Sequence, residues 1–237
     1  MKYANYRSIF KMYEYIQPFL KYSTPLEDKL PAGKVLVIAP HQDDESIGCG
    51  GTIIKHTKSG GHLETAFCTS DTDERMDETK AATKILGSKI NHFLQFPIRS
   101  LSSSNSELSN RFTELFDRVQ PDIIFVPFMI DNHQDHIAIS KALLKSYKKH
   151  KMDSLVYAYS VWTTLIPNVI VDISEVWDEK EKAIKCYKTQ TETRDYAKMA
   201  SSIAQYWSVV KGKGTSHCET FFKASMSEYI SLVKKVL

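Results

Sequence analysis

The sequence predicts an α/β protein, on three observations. Two short apolar runs rich in β-branched residues, within Val35 to Ala39 and Asp122 to Pro127, read as buried central strands. Strand-like and helix-like stretches alternate through the middle of the chain, which argues for parallel strands joined by right-handed crossovers. Both apolar runs stop at a cluster of His and Asp residues, and open α/β sheets bind ligands at the carboxyl ends of their strands. Together these give a three-layer, Rossmann-like arrangement, a mostly parallel sheet flanked by helices.

Residues 1–22 are aromatic and basic, with Tyr6, Phe10, Tyr13 and Ile16 on roughly one helical face. An apolar stripe of this kind packs an extra helix on its own domain, although Lys2, Arg7, Lys11 and Lys21 keep docking on a membrane surface open. Thr24 to Gly33, with Pro25 and Pro31, leads into the first strand, which ends at Pro40. Gly48, Gly50 and Gly51 then precede a helix expected over Thr52 to Lys58. Gly60 and Gly61 close the crossover, His62 to Thr69 alternates into a second strand, and Ser70 to Arg75 forms a polar loop at its carboxyl end. Met76 to Leu86 is helical with Gly87 as its C-cap, and Ile90 to Phe96 is a third strand stopped by Pro97. A loop through Arg99 to Asn105 follows. Leu108, Phe112, Leu115, Phe116 and Val119 then give helical spacing before the strand at Asp122.

Past the second His/Asp cluster, Ile137 to Tyr147 is a helix whose lysine-rich end complements its dipole. Leu155 to Trp162 and Asn168 to Ile173 are further strands, and Ser174 caps a long helix through Trp177 and Asp178. Thr191 to Leu237 reads as mainly helical, interrupted at Gly212-Lys-Gly214. With no repeat and no linker, residues 1–237 make one domain, 1–33 being an N-terminal helical extension. The net charge of +3 is too mild and too scattered for nucleic acid. Cys49, Cys68, Cys186 and Cys218 form no C-x-x-C pair and are too sparse for a disulfide scaffold. No stretch is apolar enough for a bilayer or a signal peptide, so a cytoplasmic protein is expected.

The chemistry sits in Pro40-His-Gln-Asp-Asp-Glu45 and Asp131-Asn-His-Gln-Asp-His136. His41 offers an imidazole nitrogen and Asp44 a carboxylate, two ligands for a divalent metal, with Asp43 a second carboxylate beside it. The competing account makes the aspartates helix caps. A second cluster, also at a strand end, supplies the missing third ligand on the same sheet edge and favours the metal site.

These two motifs resemble the LmbE/PIG-L family of metal-dependent N-acetylglucosaminyl de-N-acetylases, whose patterns run roughly A-H-P-D-D-E and H-P-D-H. Gln42 and Gln134 stand where the family usually has proline. Weaker similarity extends through Arg75 with Glu78, Lys182 to Gln190, and Glu219-Thr-Phe221, so the resemblance spans about residues 34–222. It implies an LmbE-like fold and a divalent metal, zinc or another, held by His41, Asp44 and His136. Zinc so held lowers the pKa of a bound water to about 7. Asp43 carries over as general base. His133 is the candidate for steadying the oxyanion as an imidazolium, and Asp135 orients it, unless Asp135 is only an N-cap. Arg75 matches a sugar-contacting position, and Arg99 replaces an acidic residue of many relatives, which points to an anionic substrate or to a merely solvated arginine. His217 and Glu219 are expected to close over the site.

The function so implied is removal of an N-acetyl group from an amino sugar or its conjugate, a small-molecule substrate. Two alternatives stand beside it. Two histidines and one carboxylate also make the iron(II) triad of oxygenases. A non-enzymatic module could instead keep a structural metal, although such sites close with four protein ligands.

Overall fold

The structure, a computed structural model, describes residues 11, 12, 14, 15, 24–69 and 72–237. Most of the expected N-terminal helix, including Tyr6, Phe10, Tyr13 and Ile16, and the loop residues Ser70 and Asp71 lie outside the described residues.

In chain order the elements are β1 (Leu26–Glu27), β2 (Lys34–Ala39), α1 (Asp44–Lys58), β3 (His62–Thr69), α2 (Asp73–Leu86), β4 (Ile90–Phe96), α3 (Asn105–Val119) and β5 (Ile123–Pro127). Then come α4 (Gln134–Lys149), β6 (Leu155–Tyr159), β7 (Val169–Asp172), α5 (Trp177–Lys185), α6 (Lys188–Thr191), α7 (Tyr196–Val210), β8 (Cys218–Ser225) and α8 (Met226–Val236). The eight strands form one sheet in the order β1-β7-β8-β6-β5-β2-β3-β4. From β6 across to β4 every neighbouring pair is parallel, while β8 runs antiparallel to both β6 and β7. The expected α/β sheet, mostly parallel and covered on both faces, is the one observed.

The period of two in each central strand divides the core. Val35 and Val37 of β2, with Ile123 and Phe125 of β5, face a cluster built with α1, α5 and α7. Leu36, Ile38, Ile124 and Val126 face the opposite cluster, supplied by α3, α4 and α8. A strand buried on both faces reads as a continuous apolar run, which is why β2 and β5 were visible in the sequence. After β4 the chain passes back beyond β2 to lay down β5, so winding reverses between β2 and β5. Both His/Asp motifs leave the sheet at this switch point, where α/β folds open a crevice.

Four expectations need correction. Helix α1 begins at Asp44, inside the first motif, and its glycines are helical. A Cβ on Gly48 would lie 2.2 Å from the Tyr159 ring and one on Gly51 2.7 Å from Ile173, so the glycines admit the helix against its neighbours. Helix α4 likewise starts within the second motif. Ser174 opens a short 3-10 turn and does not cap α5. Its hydroxyl donates to Asp172 Oδ1 at 2.6 Å and accepts the Ser216 amide at 2.8 Å. Finally, Cys218–Ser225 is an interior strand in what was read as a helical tail, because its two partners are remote in sequence and Glu219 and Lys223 obscure its alternation.

At the far edge, β4 carries one extra residue against β3. Phe67 pairs with Phe93 but Thr69 pairs with Phe96, and Gln95 adopts φ 62°. Among the described residues, no helix is long and apolar enough to cross a membrane.

Candidate metal centre and active-site pocket

His41 leaves β2 with its ring flanked by two carboxylates. Nδ1 lies 3.1 Å from Asp44 Oδ2, and Nε2 lies 3.1 Å from Asp135 Oδ2. His136, in the first turn of α4, is held in the same way. Its Nε2 lies 3.2 Å from Asp44 Oδ2 and its Nδ1 3.2 Å from Asp131 Oδ2. Each imidazole therefore has its own carboxylate on the far nitrogen and turns the near one toward a shared oxygen of Asp44. Such pairing fixes ring orientation and raises ligand basicity in metal sites.

The electrostatics favour a cation at that convergence. Burial alone would raise the Asp44 pKa, but the charges and hydrogen bonds of His136 and His41 outweigh it and hold the carboxyl well below the usual carboxylate range. Burial likewise opposes a charge on His41 and His136, yet their acidic partners lift them to about 9 and about 10. His136 Nε2 is buried with no hydrogen-bond partner of adequate geometry. An orphaned nitrogen facing a carboxylate oxygen is what a ligand set awaiting its ion provides. The residues fit a divalent metal.

One ring nitrogen from each of His41, His133 and His136 also lies within 4.8 Å of the others, so a three-imidazole set is possible. Asp44 is the better third donor, because its oxygen already lies against both other nitrogens and carries the negative charge. His133 has another task. It is the N-cap of α4, and its Nδ1 accepts the Asp135 amide at 3.2 Å. A nitrogen that accepts cannot bear a proton, so the ring is neutral with its proton on Nε2. Burial, then His41 and His136, also hold its pKa below the ordinary value. The imidazolium expected from sequence is thereby replaced by a neutral N–H donor.

Asp135 is not the cap of α4, which is His133; its backbone amide donates to the His133 ring, and its carboxylate bonds the His41 ring. Besides His41, it accepts the amides of Arg99 at 2.8 Å and Leu101 at 3.2 Å, tying the loop after β4 to the metal motif.

Asp43 lies beside Asp44 with φ 145° and ψ −26°, a backbone conformation that L-residues rarely adopt. Outliers of this kind gather at functional sites. Burial first, and then the charge of Asp44, push its carboxyl well above the usual range. A cavity of about 190 Å³ opens over these groups, lined by His41, Asp43, Asp44, Arg75, Arg99 and His133 together with Ile98, Trp162, Gln190 and Tyr196. All eight residues singled out in the sequence converge here: six line the cavity, while His136 and Asp135 support its floor from beneath.

His217 and Glu219 do not close over the site. His217 stacks on Trp177 with centroids 4.1 Å apart. Glu219 is buried beside α1, accepting the Gly51 and Thr52 amides at 2.8 Å and the Lys180 ammonium at 2.6 Å. Conversely, Asp131, Trp162 and Tyr196 escaped the sequence reading. Asp131 stands at the head of the second motif, but nothing in its type tells a ring anchor from a loop residue. Trp162 lies under the Arg194 guanidinium at 5.1 Å and against the Tyr196 ring at 6.0 Å, contacts between its own loop and the start of α7.

The family described as PIG-L: GlcNAc-PI de-N-acetylase matches residues 36–147, the segment from β2 to α4 that holds both motifs. The diacetylchitobiose deacetylase of Thermococcus kodakarensis is 29% identical over 187 residues, 66% of this chain and 70% of the relative. A probable N-acetyl-alpha-D-glucosaminyl L-malate deacetylase 2 of Bacillus cereus is 26% identical over 185 residues, 67% of this chain and 84% of the relative. The crystal structure of a conserved protein from Thermus thermophilus superposes with a TM-score of 0.72 at 25% identity, over 80% of this chain and 94% of that one.

Proposed function

We propose that this chain, a protein of the PIG-L/LmbE family, is a metal-dependent hydrolase that removes the N-acetyl group from an amino sugar or amino-sugar conjugate, with zinc as its metal. The observation that carries this is the pair of carboxylate-anchored imidazoles, His41 with Asp135 and His136 with Asp131, converging on Asp44 at the floor of a polar cavity. His41, Asp44 and His136 would hold the ion. Zinc bound by three protein ligands lowers the pKa of a coordinated water to about 7 and polarises a carbonyl oxygen.

The chain's own groups do the rest. Asp43 takes a proton from the attacking water as its oxygen bonds to the acetyl carbon. It returns a proton to the amine nitrogen as the C–N bond breaks, giving acetate and a free amine. A carboxyl held high by burial is suited to both transfers, and a cation beside Asp44 offsets the repulsion that helps to hold it there. His133 donates its Nε2–H to the oxyanion, and the helix-capping bond on Nδ1 holds the ring in that tautomer. Arg75 and Arg99 place donors at the cavity wall for sugar hydroxyls or an anionic substituent, and Trp162 and Tyr196 offer flat apolar surface to a ring face.

The test is mass-spectrometric screening of the metal-loaded protein against a panel of N-acetyl sugars and glycoconjugates, in air and without oxygen. Loss of one acetyl group in both atmospheres supports hydrolysis. Turnover only in air would install the iron(II) oxygenase instead, and bound metal with no product on any substrate would leave a binding module.

A further inference from the structure

Glu45 has no part in the reaction just described, yet it is fully buried and saturated with donors. Its Oε2 accepts the backbone amide of Asp43 at 3.2 Å, and its Oε1 accepts Ser46 Oγ at 2.6 Å and the Tyr187 hydroxyl at 2.7 Å. Asp43 is the residue with φ 145°, so its amide points where an ordinary backbone would not send it. The Asp43 carbonyl is engaged as well, accepting the Ile47 amide at 3.0 Å. Tyr187 is itself a fixed point. It lies buried in the turn between α5 and α6, and Glu78 of α2 clamps the segment by accepting both the amide and the hydroxyl of Thr189, at 2.9 and 2.7 Å. Three residues beyond Tyr187, Gln190 reaches the cavity wall.

We propose that Glu45 and Tyr187 are positioning residues for Asp43: the Glu45 carboxylate holds the amide of a backbone that would otherwise relax, and the Tyr187 hydroxyl holds that carboxylate. The role rests on Asp43 being the acid–base group of the proposed hydrolase. Its physical basis is that a side chain whose supports are removed drifts, and a displacement of about 1 Å at a reacting group can lower a rate by about a hundredfold. The same hydroxyl registers the wall carrying Gln190 to the base through one buried carboxylate, so the two effects must be separated kinetically.

Tyr187→Phe is the primary variant, since it deletes one hydroxyl and keeps the ring in the core. Glu45→Gln is the second, since the amide group cannot accept from all three donors at once. In Tyr187→Phe, kcat for acetate release should fall roughly tenfold or more, with KM and metal stoichiometry unchanged. Added to Asp43→Asn, the same change should lower the residual rate by less than about twofold, because residues that act through one another are not additive. Unchanged kcat per folded molecule with a lower Tm would reduce the pair to core packing. A rise in KM alone would move its effect to the Gln190 wall, and lost metal would move it to Asp44. Hydrogen exchange at the Asp43 amide, measured without substrate, should quicken in both variants. If the wild type releases no acetate from any substrate, the hydrolase assignment fails, whereas unaltered exchange at that amide overturns the link itself.

Discussion

Asp43→Gly should melt at a higher temperature than Asp43→Ala. Both changes remove the carboxylate, the like-charge contact with Asp44 and the acid–base chemistry, so those contributions cancel in the comparison. What differs is the Cβ, at a position whose φ of 145° suits only glycine. A non-glycine residue in so sparsely populated a region carries about 1–3 kcal/mol of strain. Against this, glycine gives the unfolded chain more freedom, at about 0.4–1 kcal/mol relative to alanine. The net gain is about 1 kcal/mol, which for a chain of this size raises Tm by roughly 2–4 °C. Differential scanning calorimetry of the two variants, matched for bound metal, measures it. A glycine variant that melts at or below the alanine variant would show that the Asp43 backbone is relaxed. The case for Glu45 as its anchor would weaken with it.

Alanine at His41, Asp44 or His136 should each strip most of the metal by elemental analysis. Asp131→Asn should keep the ligands but weaken binding about 10- to 100-fold, since it loosens only the far side of His136. Asp43→Asn should retain metal and lose about 100-fold or more in kcat. His133→Ala should lower kcat about 100-fold and stability by about 1 kcal/mol, as oxyanion donor and N-cap are lost together. Because His133 works as a neutral ring, the pH–rate profile of that variant should keep the wild-type shape, and an alkaline limb that vanished with it would restore the imidazolium. Glu64 supplies a pH test of stability. Burial alone would raise its pKa, but hydrogen bonds with His62 at 2.9 Å and His92 at 2.7 Å outweigh this and lower it. A carboxyl lowered on folding stabilises the protein above the ordinary glutamate pKa of about 4.3 and loses that contribution as pH falls through the folded value. Glu64→Gln should therefore lower stability most at neutral pH and least below the folded pKa, flattening the acid limb of a stability–pH curve.

What the sequence made legible was local. β2 and β5 are uninterrupted apolar runs, and each delivers its motif at once, so strand, edge and candidate ligands could be read together. What stayed hidden depends on partners far along the chain. Asp135 is 94 positions from His41, and no spacing rule reveals that it anchors that ring instead of capping its own helix. Gly48 and Gly51 look like loop glycines until Tyr159 and Ile173 are in place against them. β8 escaped because its paired strands precede it by dozens of residues, and a buried Glu219 is unreadable as a strand residue until Lys180 and the α1 amides are beside it. The cavity walls at Trp162 and Tyr196 come from a loop and the first turn of α7, whose approach only the finished fold defines.

The extra residue near the end of β4 bears on how the protein behaves in a crowded solution. An open sheet ends in unpaired backbone groups, and those groups can recruit the same strand from another molecule. One border of this sheet, β1, is two residues long and makes a poor template. The other, β4, is seven residues long and leaves Ile90 47% exposed, so it would be the adhesive side. The bulge at Gln95 bends that strand and breaks its row of donors and acceptors just before Pro97 ends it. Deleting Gln95 would straighten the border toward a regular ladder. The sheet would then be open to growth by addition of further copies, and self-association, more than loss of fold, is the failure against which this residue stands.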